Sequence, residues 1–309
     1  MKLLFFGTPE FAVPTLHCLH ESSHEILGVV TSPDKKSGRG LNIQSSSVKT
    51  TAKELGLPIY QPDYLLNNKF ISDIKKINPD IYVVVAYKIL PNSILRIPCR
   101  GAVNLHASLL PKYRGAAPVN HAILNGETET GLTTFLIQNK VDTGDLLLQE
   151  RIYIDTFTTA GEVLEQLASI GANLIIKTLD GLINDTITPR KQNDNSATFA
   201  PKIRAEDCRI AWTNSAEYIH NQIRAFSPNP GAFTFYKNKR VKLFGSNIIQ
   251  KEKDTLLNPG HINYTEPTLQ IGTGTQEIEI NDIQIEGKKQ LLASQFILGF
   301  PDIIGGIFD

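Results

Sequence analysis

Through the first half of the chain, short apolar runs alternate with segments whose apolar residues recur every third or fourth position. Residues 2–6 are such a run, Gly7-Thr8-Pro9 breaks it, and 10–21 places Phe11, Leu16 and Leu19 at helical spacing. This predicts a strand, a tight turn and a helix. The alternation repeats, predicting strands over 26–30, 81–86 and 102–105 and helices over 45–55 and 69–77. IYVVVA at 81–86 is apolar on both faces, as a central strand of a parallel sheet has to be. Strands over 131–138 and 146–154 follow, and 158–182 has the periodicity and capping residues of a long helix.

The stretch 184–204 changes character: Asn, Asp, Thr, Pro and four cations, but few large apolar residues, mark a domain boundary. Beyond it, 215–226 reads as one amphipathic helix. AFTFY, RVKLFGSNIIQ, TLQIGTG and EIEINDIQI then form short β-type segments punctuated by Gly, Asn and Pro, which predicts a small antiparallel barrel. A length of 309 residues, 41% of them apolar, suits one large domain and one smaller one. Lys+Arg and Asp+Glu are both 31, so no global positive field drives nucleic-acid binding, and any RNA contact must be local. Cys18, Cys99 and Cys208 are odd in number and far apart, as in a reduced cytoplasmic protein without structural zinc. The opening MKLLFFGTPEF has no basic, then long apolar, leader pattern, and no run of ~18 apolar residues occurs, which argues against secretion and membrane insertion.

Three constellations carry candidate chemistry. Gly7-Thr8-Pro9 follows the first strand, where backbone amides at a helix start can hold an anion. It is not GxGxxG, because Pro9 lacks a backbone donor and two glycines are absent; a dinucleotide site is disfavoured, and a turn that only closes the fold is the alternative. The segment GAVNLHASLLPKYRGAAPV at 101–119 brings Asn104 and His106 to the carboxyl end of a strand, where period-2 alternation points both to one face. An isolated histidine is usually a hydrogen-bonded core or surface residue, but here Asn, His, Ser, Arg and Gly cluster at the edge of a buried strand. VDTGDLL at 141–147 falls in a turn between two predicted strands, from which either Asp142 or Asp145 reaches His106; the same residues also suit an ordinary turn.

GTPEFAVPTL, SPDKKSGRG, VVVAY, VNLHASLLPKYRGAAPV, VDTGDLL and IRAFSPNPGAFT lie along almost the whole chain. Together they resemble the formyltransferase family that uses 10-formyltetrahydrofolate, and the last motif resembles its tRNA-acting branch. The resemblance implies a Rossmann-like catalytic domain at 1–188, a linker at 189–204 and an OB-like β-barrel that binds tRNA at 205–309. It implies transfer of a formyl group from 10-formyltetrahydrofolate, as co-substrate, to the α-amino group of methionine on initiator Met-tRNA. A cytoplasmic monomer without a metal is expected. By the same resemblance Asn104, His106 and Asp142 are the catalytic trio, and Ser108, Leu109, Leu110 and Pro111 belong to the folate site. Two departures stand out. Lys88 in AYKILP replaces a glycine in a loop one residue shorter, which alters the pocket wall near 87–90, and Asn229 in SPNPGA replaces an aromatic residue.

Formyl transfer needs anion stabilisation and a place for the amine's proton, but no protein nucleophile. Asn104 and His106 are expected to stabilise the oxyanion, while Asp142 orients and supports His106 and accepts the proton, directly or through a water. For RNA, Lys35, Lys36, Arg39, Lys49 and Lys53 occur without an acid between them; SPDKKSGRG reads as a flexible basic loop for phosphates, centred on Arg39, or else as a solvated surface loop. Arg240 and Lys242 share a face of one predicted strand, and with ten cations against twelve acids over 205–309 they form an auxiliary grip on tRNA. A sugar-nucleotide N-formyltransferase would keep the trio and take a different amine. A Rossmann oxidoreductase would need the missing glycines, and a non-enzymatic OB-fold RNA binder would leave the trio idle.

Overall fold

The computed structural model describes residues 1–37 and 42–309, which divide into two units. The first comprises Met1–Gly115, Thr130–Ile152 and Leu164–Ala200; the second comprises Ala116–Glu129, Tyr153–Val163 and Pro201–Asp309. The chain opens with β1 (Lys2–Gly7), α1 (Val13–Glu21), β2 (Glu25–Val30), the short strands β3 (Lys35–Ser37) and β4 (Asn42–Gln44), α2 (Ser47–Glu54), β5 (Ile59–Tyr60) and α3 (Asn68–Ile77). It continues through β6 (Ile81–Val85), α4 (Asn92–Leu95), β7 (Ala102–His106), β8 (Arg114–Gly115), α5 (Pro118–Leu124), β9 (Glu129–Leu136), β10 (Leu146–Tyr153), α6 (Ala160–Ile183) and β11 (Phe199–Ala200).

Seven of these strands form one sheet, ordered β10-β9-β7-β6-β1-β2-β5. β5, β2, β1, β6 and β7 pair in parallel, and β9 runs antiparallel to β7. Every residue of β6 is buried, as its unbroken apolar run requires. Phe6 meets Tyr82 edge-to-face with ring centroids 4.9 Å apart, and burying a side chain of this size contributes about 1.5–3 kcal/mol. The helices begin where side chains satisfy free amides: Ser46 accepts from Lys49 N at the start of α2, and Asn67 accepts from Lys69 N and Phe70 N at the start of α3. Asn78 ends α3 in the left-handed region at φ 50°.

The second unit adds α7 (Ala216–Ala225), β12 (Ala232–Tyr236), β13 (Lys239–Ile249), β14 (Ile262–Thr265), β15 (Thr268–Gly272), β16 (Glu277–Ile285), β17 (Leu291–Leu292) and α8 (Ala293–Gly299). Its strands form an antiparallel sheet ordered β12-β13-β16-β15-β14, with β17 on β16. The four expected β segments are β12, β13, β15 and β16, while β14 and β17 add to them. The architecture is therefore mixed α/β, with a parallel-sheet core in one unit and a separate antiparallel sheet in the other. No helix among the described residues is long and apolar enough to cross a membrane.

The segment expected as a linker, 189–204, is instead ordered against the first unit as far as Ala200. Arg190 bridges to Leu146, and β11 pairs in parallel with β8. Its Gln and Thr side chains bond to backbone groups, so low apolar content here marks a polar strap, not a free connection. Residues 116–129 and 153–163, expected in the first domain, pack in the second unit.

Candidate active site

β7 places Asn104 beside Val84 of β6 and Phe135 of β9, and His106 opposite Thr133. Two positions apart on one strand, their side chains share a face. The Asn104 side chain makes no hydrogen bond among the described residues, whereas both nitrogens of His106 face a defined neighbour. Nε2 lies 2.9 Å from the Tyr113 carbonyl oxygen. A carbonyl only accepts, so Nε2 carries the hydrogen. Nδ1 faces Asp142 Oδ2 at 3.7 Å, an ion-pair distance longer than a hydrogen bond. Both side chains are largely buried, which strengthens their Coulombic attraction once the imidazole is protonated.

The aspartate that reaches His106 is thus Asp142. It sits in the left-handed region at φ 53°, a conformation that Asp tolerates better than most residues. Its Oδ2 accepts the Gly115 amide at 2.8 Å, and its Oδ1 accepts no hydrogen bond among the described residues. Gly144, two residues on, is required by packing: a Cβ there would lie 1.6 Å from the Leu136 carbonyl oxygen. Asp145 contributes through its backbone, whose carbonyl accepts from Leu136 N at 3.0 Å.

The loop 108–111 is braced from below. Thr133 Oγ1 donates to Ser108 O at 2.7 Å and accepts from Leu110 N and from Gln149 Nε2, and Gln149 also donates to Leu110 O at 2.9 Å. Ser108 is buried with its hydroxyl on Lys112 O, and Leu110 is buried too. Leu109 and Pro111, both half-buried, and the loop backbone are what remains for a ligand. At the end of β6, the positive φ falls on Ala86 (φ 49°) and Lys88 is not among the positive-φ residues, so the glycine-to-lysine departure imposes no backbone strain.

The expected RNA contacts are spread over both units. Lys35 is exposed in β3, Lys36 lies in the same strand, and Arg39 lies outside the described residues. Lys49 is engaged already: its Nζ pairs with Asp34 at 2.5 Å, and Asp34 also receives Gln61 Nε2 at 3.0 Å. These two donors hold the Asp34 carboxyl below its ordinary range, the Lys49 hydrogen bond first. In the second unit, the Arg240 guanidinium lies 4.4 Å from the Phe233 ring centroid, and Lys242 Nζ donates to Pro230 O at 2.6 Å.

Three contributors escape sequence reasoning. Thr133 and Gln149 brace the loop from an apolar strand and its neighbour; two adjacent threonines in GLTTFL are the only signal, and both are buried. Gln192 contacts Arg114 and the Asp142 loop from the segment expected as linker, with no signal in its surroundings.

An amide and an imidazole thus stand at the carboxyl end of β7, an interior strand of the sheet, with a carboxylate facing the imidazole. Residues 1–179 match the family Formyl transferase and residues 202–301 match Formyl transferase, C-terminal domain, and the chain belongs to this family. Within it, the chain is similar over nearly its whole length to proteins named methionyl-tRNA formyltransferase. The one from Thermodesulfovibrio yellowstonii is 45% identical, covering 96% of this chain and 95% of its own, and the one from Porphyromonas gingivalis W83 is 41% identical over 97% and 96%. Among solved structures, WlaRD, a sugar 3N-formyl transferase, has TM-score 0.69 at 22% identity, over 94% of this chain and 99% of its own. A methionyl-tRNA formyltransferase from Clostridium thermocellum has TM-score 0.58 at 20% identity, over 81% and 94%. At these identities the two structures speak for the fold alone.

Proposed function

We propose that this chain transfers a formyl group from 10-formyltetrahydrofolate to the α-amino group of methionine on initiator Met-tRNA. The observation that carries this reading is the Asn104–His106–Asp142 cluster in a chain whose full-length relatives at 41–45% identity are methionyl-tRNA formyltransferases. The site fits a formyl donor in one further respect: the nearby Ser108 hydroxyl is committed to Lys112 O, so the acyl group passes directly from donor to amine. The co-substrate supplies the formyl group and the nitrogen that leaves. The backbone of 108–111, with Leu109 and Pro111, would hold it, next to the wall formed by 87–90.

The amine nitrogen forms a bond to the formyl carbon, the bond from that carbon to the folate nitrogen breaks, and one proton moves from the amine to the folate nitrogen. Asn104 donates its amide to the oxygen that gains charge. His106, anchored at Nε2 by Tyr113, works through Nδ1: as imidazolium it donates to the same oxygen, and Asp142 supports its charge. The free Asp142 Oδ1 takes the amine proton, directly or through a water.

The second unit's sheet is read as an OB-like barrel whose Arg240 and Lys242 hold tRNA phosphates, with Lys35, Lys36 and Arg39 as the grip of the first unit; Lys49 acts through Asp34 instead. The enzyme is read as a cytoplasmic monomer. The test is formyl transfer from 10-formyltetrahydrofolate to initiator Met-tRNA, elongator Met-tRNA and an amino-sugar nucleotide. Formylation of the initiator alone is expected. Transfer to the sugar nucleotide would overturn the tRNA assignment and leave the chemistry standing.

A further inference from the structure

The segment after α6 reaches the Asp142 loop through the side chain of Gln192. Gln192 Nε2 donates to Asp142 O at 2.9 Å and to Gly144 O at 2.8 Å, while its Oε1 accepts from Arg114 Nε at 3.1 Å and Nη2 at 2.7 Å. A guanidinium only donates and a carbonyl only accepts, so the orientation of this amide is fixed and both its donors and its acceptor are used. Arg114 is itself buried, and its Nη2 also reaches Asp194 Oδ1 at 2.7 Å. The amide therefore ties the loop that carries Asp142 to the segment that carries Tyr113 and Gly115.

Those two pieces set the reacting geometry. Tyr113 O holds His106 Nε2, and Gly115 N holds Asp142 Oδ2. The same strap fixes the far side: Tyr113 N donates to Thr198 Oγ1 at 2.8 Å and Arg114 N donates to Thr198 O at 2.9 Å. β8 is clasped closely enough that a Cβ on Gly115 would lie 2.4 Å from the Ala200 carbonyl oxygen. Asp142, in its left-handed conformation, would relax toward the commoner backbone regions if its carbonyl were released, and its carboxylate would swing away from His106.

We propose that Gln192 is a positioning residue for formyl transfer: it clamps the backbone of Asp142 and Gly144 so that the Asp142 carboxylate faces His106 Nδ1. This rests on the reading of Asp142 given above. Misplacement of a reacting group by about 1 Å can cost about a hundredfold in rate, and a positioning effect appears in kcat with little change in KM.

The test uses the full chain with initiator Met-tRNA and 10-formyltetrahydrofolate under steady-state conditions. Gln192→Leu removes all four hydrogen bonds; Gln192→Glu keeps an acceptor for Arg114 and removes the two donors to the loop. Both variants are expected to lose at least about tenfold in kcat, with KM for each substrate within about twofold. In an Asp142→Asn background neither should lose more than about twofold further, because the route through Asp142 is already gone. A Gln192 that merely stabilised the fold would multiply with Asp142→Asn. That multiplication, or a wild-type kcat in Gln192→Glu, overturns the assignment even where Gln192→Leu does not fold. Full turnover by Asp142→Asn alone overturns the reading of Asp142 instead, so the two failures are distinguishable.

Discussion

The Tyr113 carbonyl decides which nitrogen of His106 works, because it takes the Nε2 hydrogen and leaves Nδ1 toward Asp142. Removing an oxyanion donor typically costs about 3 kcal/mol of barrier, or roughly a hundredfold in rate. Asn104→Ala is accordingly expected to lower kcat by about two orders of magnitude with an unchanged melting temperature. His106→Ala and Asp142→Asn should each lose most of kcat while staying folded; near-normal turnover in any of the three would remove that residue from the mechanism. The pairing of Asn104 with His106 is legible in the sequence because polar residues at the end of an apolar strand are conspicuous, while Asp142 is singled out by the family resemblance. Proximity in sequence could not separate Asp142 from Asp145; the left-handed turn at Asp142 does so by aiming one carboxylate at the histidine. The Lys49–Asp34 pair is not legible, since Asp34 lies 15 residues earlier and nothing local announces it.

At the scale of elements, the turn between β9 and β10 is fixed by contact between backbones. A methyl on Gly144 would lie 1.6 Å from Leu136 O, and Leu136 cannot retreat easily because its N–H is bonded to Asp145 O. Gly144→Ala is therefore expected to destabilise the protein by about 3 kcal/mol or more. Gly299→Ala, where an added methyl meets nothing within 4 Å, should shift the melting temperature by no more than about 1 °C. Equal melting temperatures in the two variants would contradict this account of the turn. The main strands could be read directly because burial on both faces leaves an uninterrupted apolar run, as in β6. α5 was hidden behind Pro118 in a segment that also reads as loop, and β8 and β11, two residues each, are too short to show a period. The strap 190–200 reads as a linker because its cohesion comes from polar side chains on backbone groups, which hydrophobic patterning does not register.

Across the whole molecule, His24 in the first unit and His220 in the second make stability depend on pH. Burial lowers His24 in the first unit and His220 in the second below the ordinary value of 6.5. Between that value and the depressed one, the unfolded chain binds more protons than the folded chain, so stability is full above about pH 6.5 and falls as the pH drops below it. Urea unfolding at pH 7.5 and 5.5 should show lower stability at 5.5, and His220→Gln should reduce the difference; an unchanged slope would mean that His220 is not responsible. The pairing of β8 with β11 sets a different kind of dependence, one of timing. Tyr113 and Thr198 are 85 positions apart, so their contact closes long after the strands that carry the chemistry have been made. A nascent chain that has left the ribosome only as far as Ile183 already contains Asn104, His106 and Asp142, but not the Gln192 and Thr198 that bond to the Asp142 carbonyl and the Tyr113 amide. Synthesis therefore yields an assembled sheet first and a braced site only about twenty residues later.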